Sequence, residues 1–274
     1  MRGGSYTTPA DGLYIHSSGL TLRSYPGERA RLHGIVYLLR ANRVTLSHLN
    51  FVGDGTQNTV KIYSADVVIE DSDFTNNYLG RSCLMLGNPS AGLALRPRIV
   101  RNRFHECGLP ANYNEDHAIY AGYVRGGRIA DNVIYNATGY SVQLYPDAQG
   151  VALEHNVVDG GAPSVRGGVV FGGDTDYSSN NNVVAYNIVA YARSYNIGSW
   201  WGGAAGSGNV ARSNCVWAGA GDNISTANGG FASTRNLSAN PLFVNRAHHN
   251  FRLRARSRCL RVVGYDTAAR LRRR

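Results

Sequence analysis

One stretch of the sequence, GLPANYNEDHAIY (108–120), gathers an acid–base set: Glu115, Asp116 and His117, followed by Tyr120. A carboxylate beside an imidazole can orient the ring and tune its proton affinity, and a phenol can give or take a proton. The competing reading is that strand parity turns His117 inward with Val142, as a hydrogen-bonded core histidine. Lys61, the only lysine, sits in VKIY (60–63), and Gln143 and Tyr145 sit in VQLY (142–145). Alternation places Lys61, Met85, Ala118, Gln143 and Val170 in one outward column. The next outward column holds Tyr63, Gly87, Tyr120, Tyr145 and Gly172. Tyr63, Tyr120 and Tyr145 then line one face over roughly 14 Å. Such a face is either a groove for an extended chain such as an oligosaccharide or a set of rings that simply covers a sheet. Arg101, Asp131 and His155 form another column, read as a surface charge ladder worth little and as the next choice of site. Asp174 and Asp176 make a D-x-D that suggests calcium or a general acid, although no full EF-hand loop follows.

The segments that carry these residues repeat. DVVIEDSDFTNN (66–77), RIVRNRFHEC (98–107), GRIADNVIYN (127–136), VALEHNVVDG (151–160), VVAYNIVAY (183–191) and NVARSNCVWAG (209–219) share one spacing. Aligned, they place Asn102, Asn132, Asn156, Asn187 and Asn214 at one position, with Leu49 and Ser72 there in earlier copies. The asparagine intervals are 30, 24, 31 and 27 residues, the longer ones containing insertions. A second alternating strand precedes each segment, and no stretch shows helical periodicity with caps. Short strands in register with no helices between them make a coil that stacks on itself and encloses a continuous core. An Asn at the same bend of each coil can bond up and down the stack and tolerates the left-handed conformation of a bend.

Composition agrees with this. The 274 residues are 43% hydrophobic, 17% charged and rich in Gly, which excludes a disordered chain and a coiled coil. No apolar run approaches the ~20 residues that cross a bilayer. The net charge of +10 attracts polyanions, but basic and aromatic residues do not interleave as in nucleic-acid modules. Four of the arginines fall within 270–274 and read as a solvated tail. None of the four cysteines forms a CxxC pair; they are either buried thiols or two disulfides. Cys83 and Cys107 lie 24 residues apart, close to one coil, so they can bridge neighbouring turns and leave Cys215 to Cys259. The N-terminus has no apolar signal segment, so the chain is expected to be cytosolic or to begin after an export signal.

The pattern resembles the right-handed parallel β-helix proteins of the pectate-lyase-like superfamily, of the secreted bacterial type, over about residues 10–225. NPLFVNRAHHNFRLRARSRC (240–259) is similar to the closing segment of such proteins, and RGGSY…GLYIHSSGLTLRSYPGERARLHG resembles a first coil without its usual cap. The resemblance implies an all-β, single-stranded solenoid of about eight coils in one domain, 1–274. Residues of about 226–265 would close it and 266–274 would form a basic tail, with the N-terminal cap and signal missing. It also implies a polysaccharide lyase or uronate epimerase acting on acidic polysaccharide. That chemistry neutralises a C6 carboxylate, removes the C5 proton and protonates the departing oxygen. Lys61, Arg101, Asp116, His117 and Tyr120 are the candidate catalytic residues, and Tyr63, Arg81, Gln143 and Tyr145 the candidate substrate contacts. The Asp-Pro-His-Asp motif of some alginate epimerases survives only as Asp116-His117. The alternatives are a polygalacturonase-type hydrolase, whose Asp-Asp pair is absent, and a non-catalytic glycan-binding or structural surface protein. The expected partner is acidic polysaccharide, with no nucleic acid or membrane. The expected molecule is a secreted or surface monomer with no assigned metal site, calcium being the one ion considered.

Overall fold

The computed structural model describes residues 1–161, 163–164 and 166–271. The chain winds as a right-handed parallel solenoid of about nine turns, close to the eight expected. Each turn adds one short strand to each of three parallel sheets. The first sheet runs from Gly4–Thr7 to Leu237–Ser238, the second from Leu13–Ile15 to Asp222–Ile224, and the third from Thr21–Arg23 to Phe231–Thr234.

Alternation within each strand sends one set of side chains into the core. In the first sheet, Phe51, Phe74 and Phe104 are register partners, fully buried and stacked at 4.7 and 4.4 Å. Leu46, Ile69, Ile99, Ile129 and Leu153 form the matching column of the third sheet. No single coil could bury these residues; each is dry because a neighbour lies above and below.

The bend between the third and first sheets is the most regular feature. His48, Asp71, Arg101, Asp131, His155, Tyr186 and Ser213 adopt φ of 51–59° there. Each directly precedes the residue of the asparagine column. The left-handed residue is therefore the one before the Asn and not the Asn itself, as the sequence reading had it. This leaves the amide pointing inward along the stack. The backbone N–H of Asn102 donates to Oδ1 of Asn132 at 2.8 Å, Asn132 to Asn156 at 3.0 Å, Asn156 to Asn187 at 2.8 Å and Asn187 to Asn214 at 2.9 Å. Each Nδ2 also donates to the next Oδ1, so every link is doubled. A shorter column, Asn182 to Asn209, lies at the bend after the second sheet and was not read from the sequence.

Both disulfides form. Cys83–Cys107 joins adjacent coils, and Cys215–Cys259 ties the last turns to the closing segment. That segment pairs Phe243–Asn245 with Asn250–Leu253 and packs on the outer face of the first sheet, against Tyr135, Val157 and Ile188. The expected tail is shorter than read: Thr267 is buried with its hydroxyl on the His155 carbonyl, and Thr267–Arg270 is helical. Residues 272–274 of that tail lie outside the described residues.

Each interior asparagine satisfies two buried donors of the coil before it. Replacing Asn132 or Asn156 by Ala should cost about 1–3 kcal/mol, read from urea unfolding, because those donors lose their acceptor in a dry interior. Unchanged midpoints at both positions would remove the column from the account of stability.

Candidate functional site

The outer face of the second sheet carries the site, and its register corrects the sequence alignment. Tyr120 pairs with Met85 on one side and Gln143 on the other, so the outward row is Tyr37, Lys61, Met85, Tyr120, Gln143 and Val170. Ala118 does not belong to it and is buried. The loop junction shifts the pairing by two residues, which moves Tyr120 out of the Tyr63–Tyr145 column and beside Gln143.

The insertion 108–116 rises over this sheet and is fastened at its base. Asp116 is buried; its Oδ2 accepts from the Leu109 N–H at 2.8 Å, and its carbonyl accepts from the Gly139 N–H at 2.8 Å. The Gly108 N–H donates to Asn76 Oδ1, and Cys107 is disulfide-bonded. Gly139 has to lack a side chain here, since a Cβ would stand 2.4 Å from the Asp116 carbonyl oxygen and 2.6 Å from Nδ1 of His117. Asp116 thus closes the loop, and it also lines a smaller neighbouring pocket. The exposed tip presents Asn114 and Glu115.

Between this tip and the sheet lies a cleft of about 490 Å³, lined by Asn114, Glu115, His117, Tyr120, Tyr140, Gln143, Tyr145, Arg166 and Trp200. His117 and Tyr120 are near parallel at 20°, but the rings further along the cleft are tilted. Tyr120 and Tyr145 are 6.4 Å apart and tilted by 49°, and Tyr145 and Trp200 are 5.8 Å apart and tilted by 52°. By contrast, Tyr14 and Tyr37, at the N-terminal end of the same sheet, stack at 4.4 Å and 1° and cover each other's faces. The cleft therefore leaves aromatic surface open to a ligand, with Trp200 half exposed.

His117 is as buried as the inward reading required, yet it also forms part of the cleft wall. Its Nδ1 accepts the Tyr140 N–H at 3.1 Å, which leaves the ring proton on Nε2. Burial, and then the charge of Arg166, push its pKa down to about 3. The ring is a neutral donor and not a base. Burial raises the pKa of Tyr120, with Tyr145 adding to the effect, and likewise raises that of Tyr145, so both phenols stay protonated. The Arg166 guanidinium rests 5.3 Å over Tyr113 and donates to Asn114. Its Nε is buried without a partner, and no carboxylate lies within ion-pair distance among the described residues.

The other expected residues lie elsewhere. Lys61 is nearly buried, bonded to Gln57 Oε1 at 2.8 Å and the Tyr37 hydroxyl at 3.1 Å, its pKa lowered by burial and by Arg81. Tyr63 is buried with its hydroxyl on the Met85 sulfur. Arg81 opens onto a smaller neighbouring pocket. Arg101 is on the far bend, paired with Glu70 at 2.6 Å and Asp71 at 2.9 Å, and cannot reach the cleft. Asp131 of the same column bonds the Tyr265 hydroxyl, and His155 stacks on that ring at 4.5 Å. Oδ1 of Asp174 accepts two backbone amides of its own loop, and no group of three His, Cys, Asp or Glu gathers among the described residues.

Arg166, Tyr140, Asn114 and Trp200 were not anticipated. Trp200 was reachable from the sequence: it is the register partner of Gly172, one strand beyond the column as drawn. Arg166 comes from a loop with no repeat signal.

Residues 11–204 match the family model described as a right handed beta helix region. The chain belongs to that family. No curated protein matches it in sequence. Among solved structures, this β-helix is similar to the pectate lyase Pel9A, at 12% identity with a TM-score of 0.66, over 94% of this chain and 80% of that one. It is similar to the periplasmic alginate epimerase AlgG, also at 12% identity, with a TM-score of 0.58, over 79% of this chain but 54% of that one. A third likeness is to PfbA, a surface adhesin of Streptococcus pneumoniae, at 12% identity and a TM-score of 0.59, over 86% of this chain and 74% of that one. These likenesses establish the fold.

The buried imidazole has a consequence for pH. His117 titrates near 3 when folded and ~6.5 when unfolded. Between these values the unfolded chain binds the extra proton, so stability falls as pH drops through the window, by up to about 1.4 kcal/mol per pH unit. Urea midpoints measured across it should fall less steeply in His117→Asn than in the parent. Parallel slopes would mean that the imidazole is not held neutral.

Proposed function

We propose that this β-helix is a carbohydrate-active protein that takes an acidic polysaccharide in the 490 Å³ cleft and acts on it as a lyase or uronate epimerase. One observation carries the reading: Arg166 lines an aromatic cleft, and among the described residues no carboxylate lies within ion-pair distance of it. A guanidinium in that setting suits a sugar carboxylate, and tilted rings suit sugar faces. The fold likenesses to a pectate lyase and an alginate epimerase support the same class. Two disulfides, and likenesses to a periplasmic enzyme and a surface adhesin, support a location outside the cytoplasm.

In this reading Arg166 and the Nε2–H of His117 hold the C6 carboxylate and disperse the charge that builds there as the C5 proton leaves. Glu115, the carboxylate that lines the cleft, removes that proton. In elimination the C5–H electron pair becomes the C4–C5 double bond, the C4–O4 bond breaks, and the Tyr120 phenol gives its proton to O4. In epimerisation the phenol instead returns a proton to C5 from the opposite face. A hydrolase needs two carboxylates across the bond, and the described cleft lining supplies one.

Incubation with pectate, alginate and glycosaminoglycans tests this, followed by the ultraviolet absorbance of unsaturated uronates and by loss of the C5 proton signal in D2O. One of these polymers should give one of the two signals. Arg166→Gln and Glu115→Gln should each lower kcat/KM about 10²-fold with the fold intact. Binding without either signal would reassign the protein as a glycan-binding module, and no binding at all would remove acidic glycans from the account.

A further inference from the structure

The positive charge of this molecule is not spread evenly over it. Residues 1–239 hold 18 Lys and Arg against 17 Asp and Glu, whereas 240–274 hold ten Arg against Asp266 alone. Nearly all of the net charge of +10 therefore comes from the closing segment. We propose that the face built by this segment docks the protein on an anionic phospholipid surface, its arginines meeting the phosphates of the headgroup layer. The face lies on the first sheet, whereas the cleft lies on the second, so docking leaves the cleft open whatever it binds.

Three observations carry it. First, the charge is exposed and not neutralised within the molecule. Arg252, Arg254, Arg256, Arg258, Arg261 and Arg270 are all exposed. Among the described residues none of these six has a carboxylate within ion-pair distance, and in the segment only Arg246 is paired, with Asp159 at 2.7 Å. Asp266 is occupied by backbone: its Oδ2 accepts from the Leu253 N–H at 2.8 Å and its Oδ1 from the Ala269 N–H at 3.1 Å. Cations crowded on one face repel each other, and an anionic surface relieves that repulsion.

Second, the arginines are mounted on a fixed frame. Phe251, Ser257 and Cys259 are buried, while Arg252, Arg256 and Arg258 beside them are turned out. The frame is fastened by the Cys215–Cys259 disulfide, by the Arg246–Asp159 pair and by the Thr267 hydroxyl on the His155 carbonyl. An array already held in place meets a layer of phosphates without the ordering entropy that a loose tail would lose.

Third, the chemistry of the face suits phosphate better than sugar. Between the segment and the first sheet lies a pocket of about 260 Å³, whose lining includes Arg103, His248, His249, Asn250 and Arg252 and no carboxylate. Asp73, the register partner of Arg103, lines the neighbouring recess with Arg29 and Arg31 and is bonded to His105 at 2.7 Å. The rings beside the pocket cover one another: Tyr135 stacks on His249 at 4.4 Å and packs on Phe251 at 5.3 Å, and both Tyr135 and Phe251 are buried. Those two rings offer no open face to a sugar or a base, unlike the rings of the cleft. Recognition is left to guanidinium groups, which match phosphate oxygens two at a time. A cluster of basic residues can hold a protein against anionic headgroups, and this needs no segment that crosses the bilayer.

The test is sedimentation with vesicles of phosphatidylcholine alone or of an equal mixture with phosphatidylglycerol. The parent should sediment with the mixed vesicles only, and added salt should release it. Arg252→Gln, Arg256→Gln and Arg258→Gln combined should weaken that binding by about tenfold or more with an unchanged melting temperature, and the same three positions changed to Lys should retain most of it. A control with equal loss of charge, Arg23→Gln, Arg43→Gln and Arg98→Gln, alters exposed arginines on or beside the third sheet and should bind like the parent. Arg166→Gln should also bind like the parent, which separates this face from the cleft. Equal losses in the two Gln triples would mean that net charge and not this face is read, and would overturn the proposal. A Lys triple as weak as its Gln counterpart would do the same, as would a parent that ignores the mixed vesicles. So would a closing-segment triple that loses affinity for alginate or pectate but not for vesicles, since the face would then be a glycan site.

Discussion

Coil-to-coil register is the constraint on which everything else in this molecule depends. A parallel stack has no hairpins to fix which residue faces which, and a slip of one residue would send a buried column out into water. Here the slip is blocked at one corner. The left-handed residue and the asparagine after it recur on successive coils, and each asparagine is bonded twice to the next. Because both bonds are buried, an out-of-step coil would strand donors and acceptors in a dry interior. Phenylalanine stacking and the aliphatic columns then fill a space whose register is already set.

That rigidity at one bend allows freedom at another. The 108–116 insertion interrupts the corner leading into the second sheet, where the asparagine column does not run. The loop there is built from local devices instead: the Asp116 carboxylate on the Leu109 N–H, a glycine beneath it, and a disulfide at its foot. The cleft exists because a fixed floor meets a wall secured on its own terms. The electrostatics follow from the same division. His117 belongs to the floor and is kept neutral by burial, whereas Arg166 and Glu115 come to the cleft from loops.

The sequence made the scaffold legible because the scaffold is repetitive. Asn102 to Asn214 could be aligned without any structure, and coil spacing pointed to a Cys83–Cys107 bridge that leaves Cys215 to Cys259. The site was legible only in part, and for physical reasons. Tyr120, Gln143 and Tyr145 were found because they lie on regular strands. Tyr120 was nevertheless placed in the wrong column, because the loop before it shifts the pairing by two residues. Arg101 was misassigned because a column position gives which residues stack and not which face of the molecule the column occupies. Arg166 was missed because its loop has no period to read.

The Cys83–Cys107 bridge and the bonds at Asp116 have a further consequence, which concerns how such a molecule can change. Both ends of the 108–116 segment are anchored to the coils by contacts that do not involve its tip. Residues such as Asn114 and Glu115 can thus be replaced, or the tip lengthened, without any change in the hydrogen bonds that hold the stack together. Recognition and folding are carried by separate sets of residues, which allows one solenoid to be refitted for a different ligand by altering a single loop.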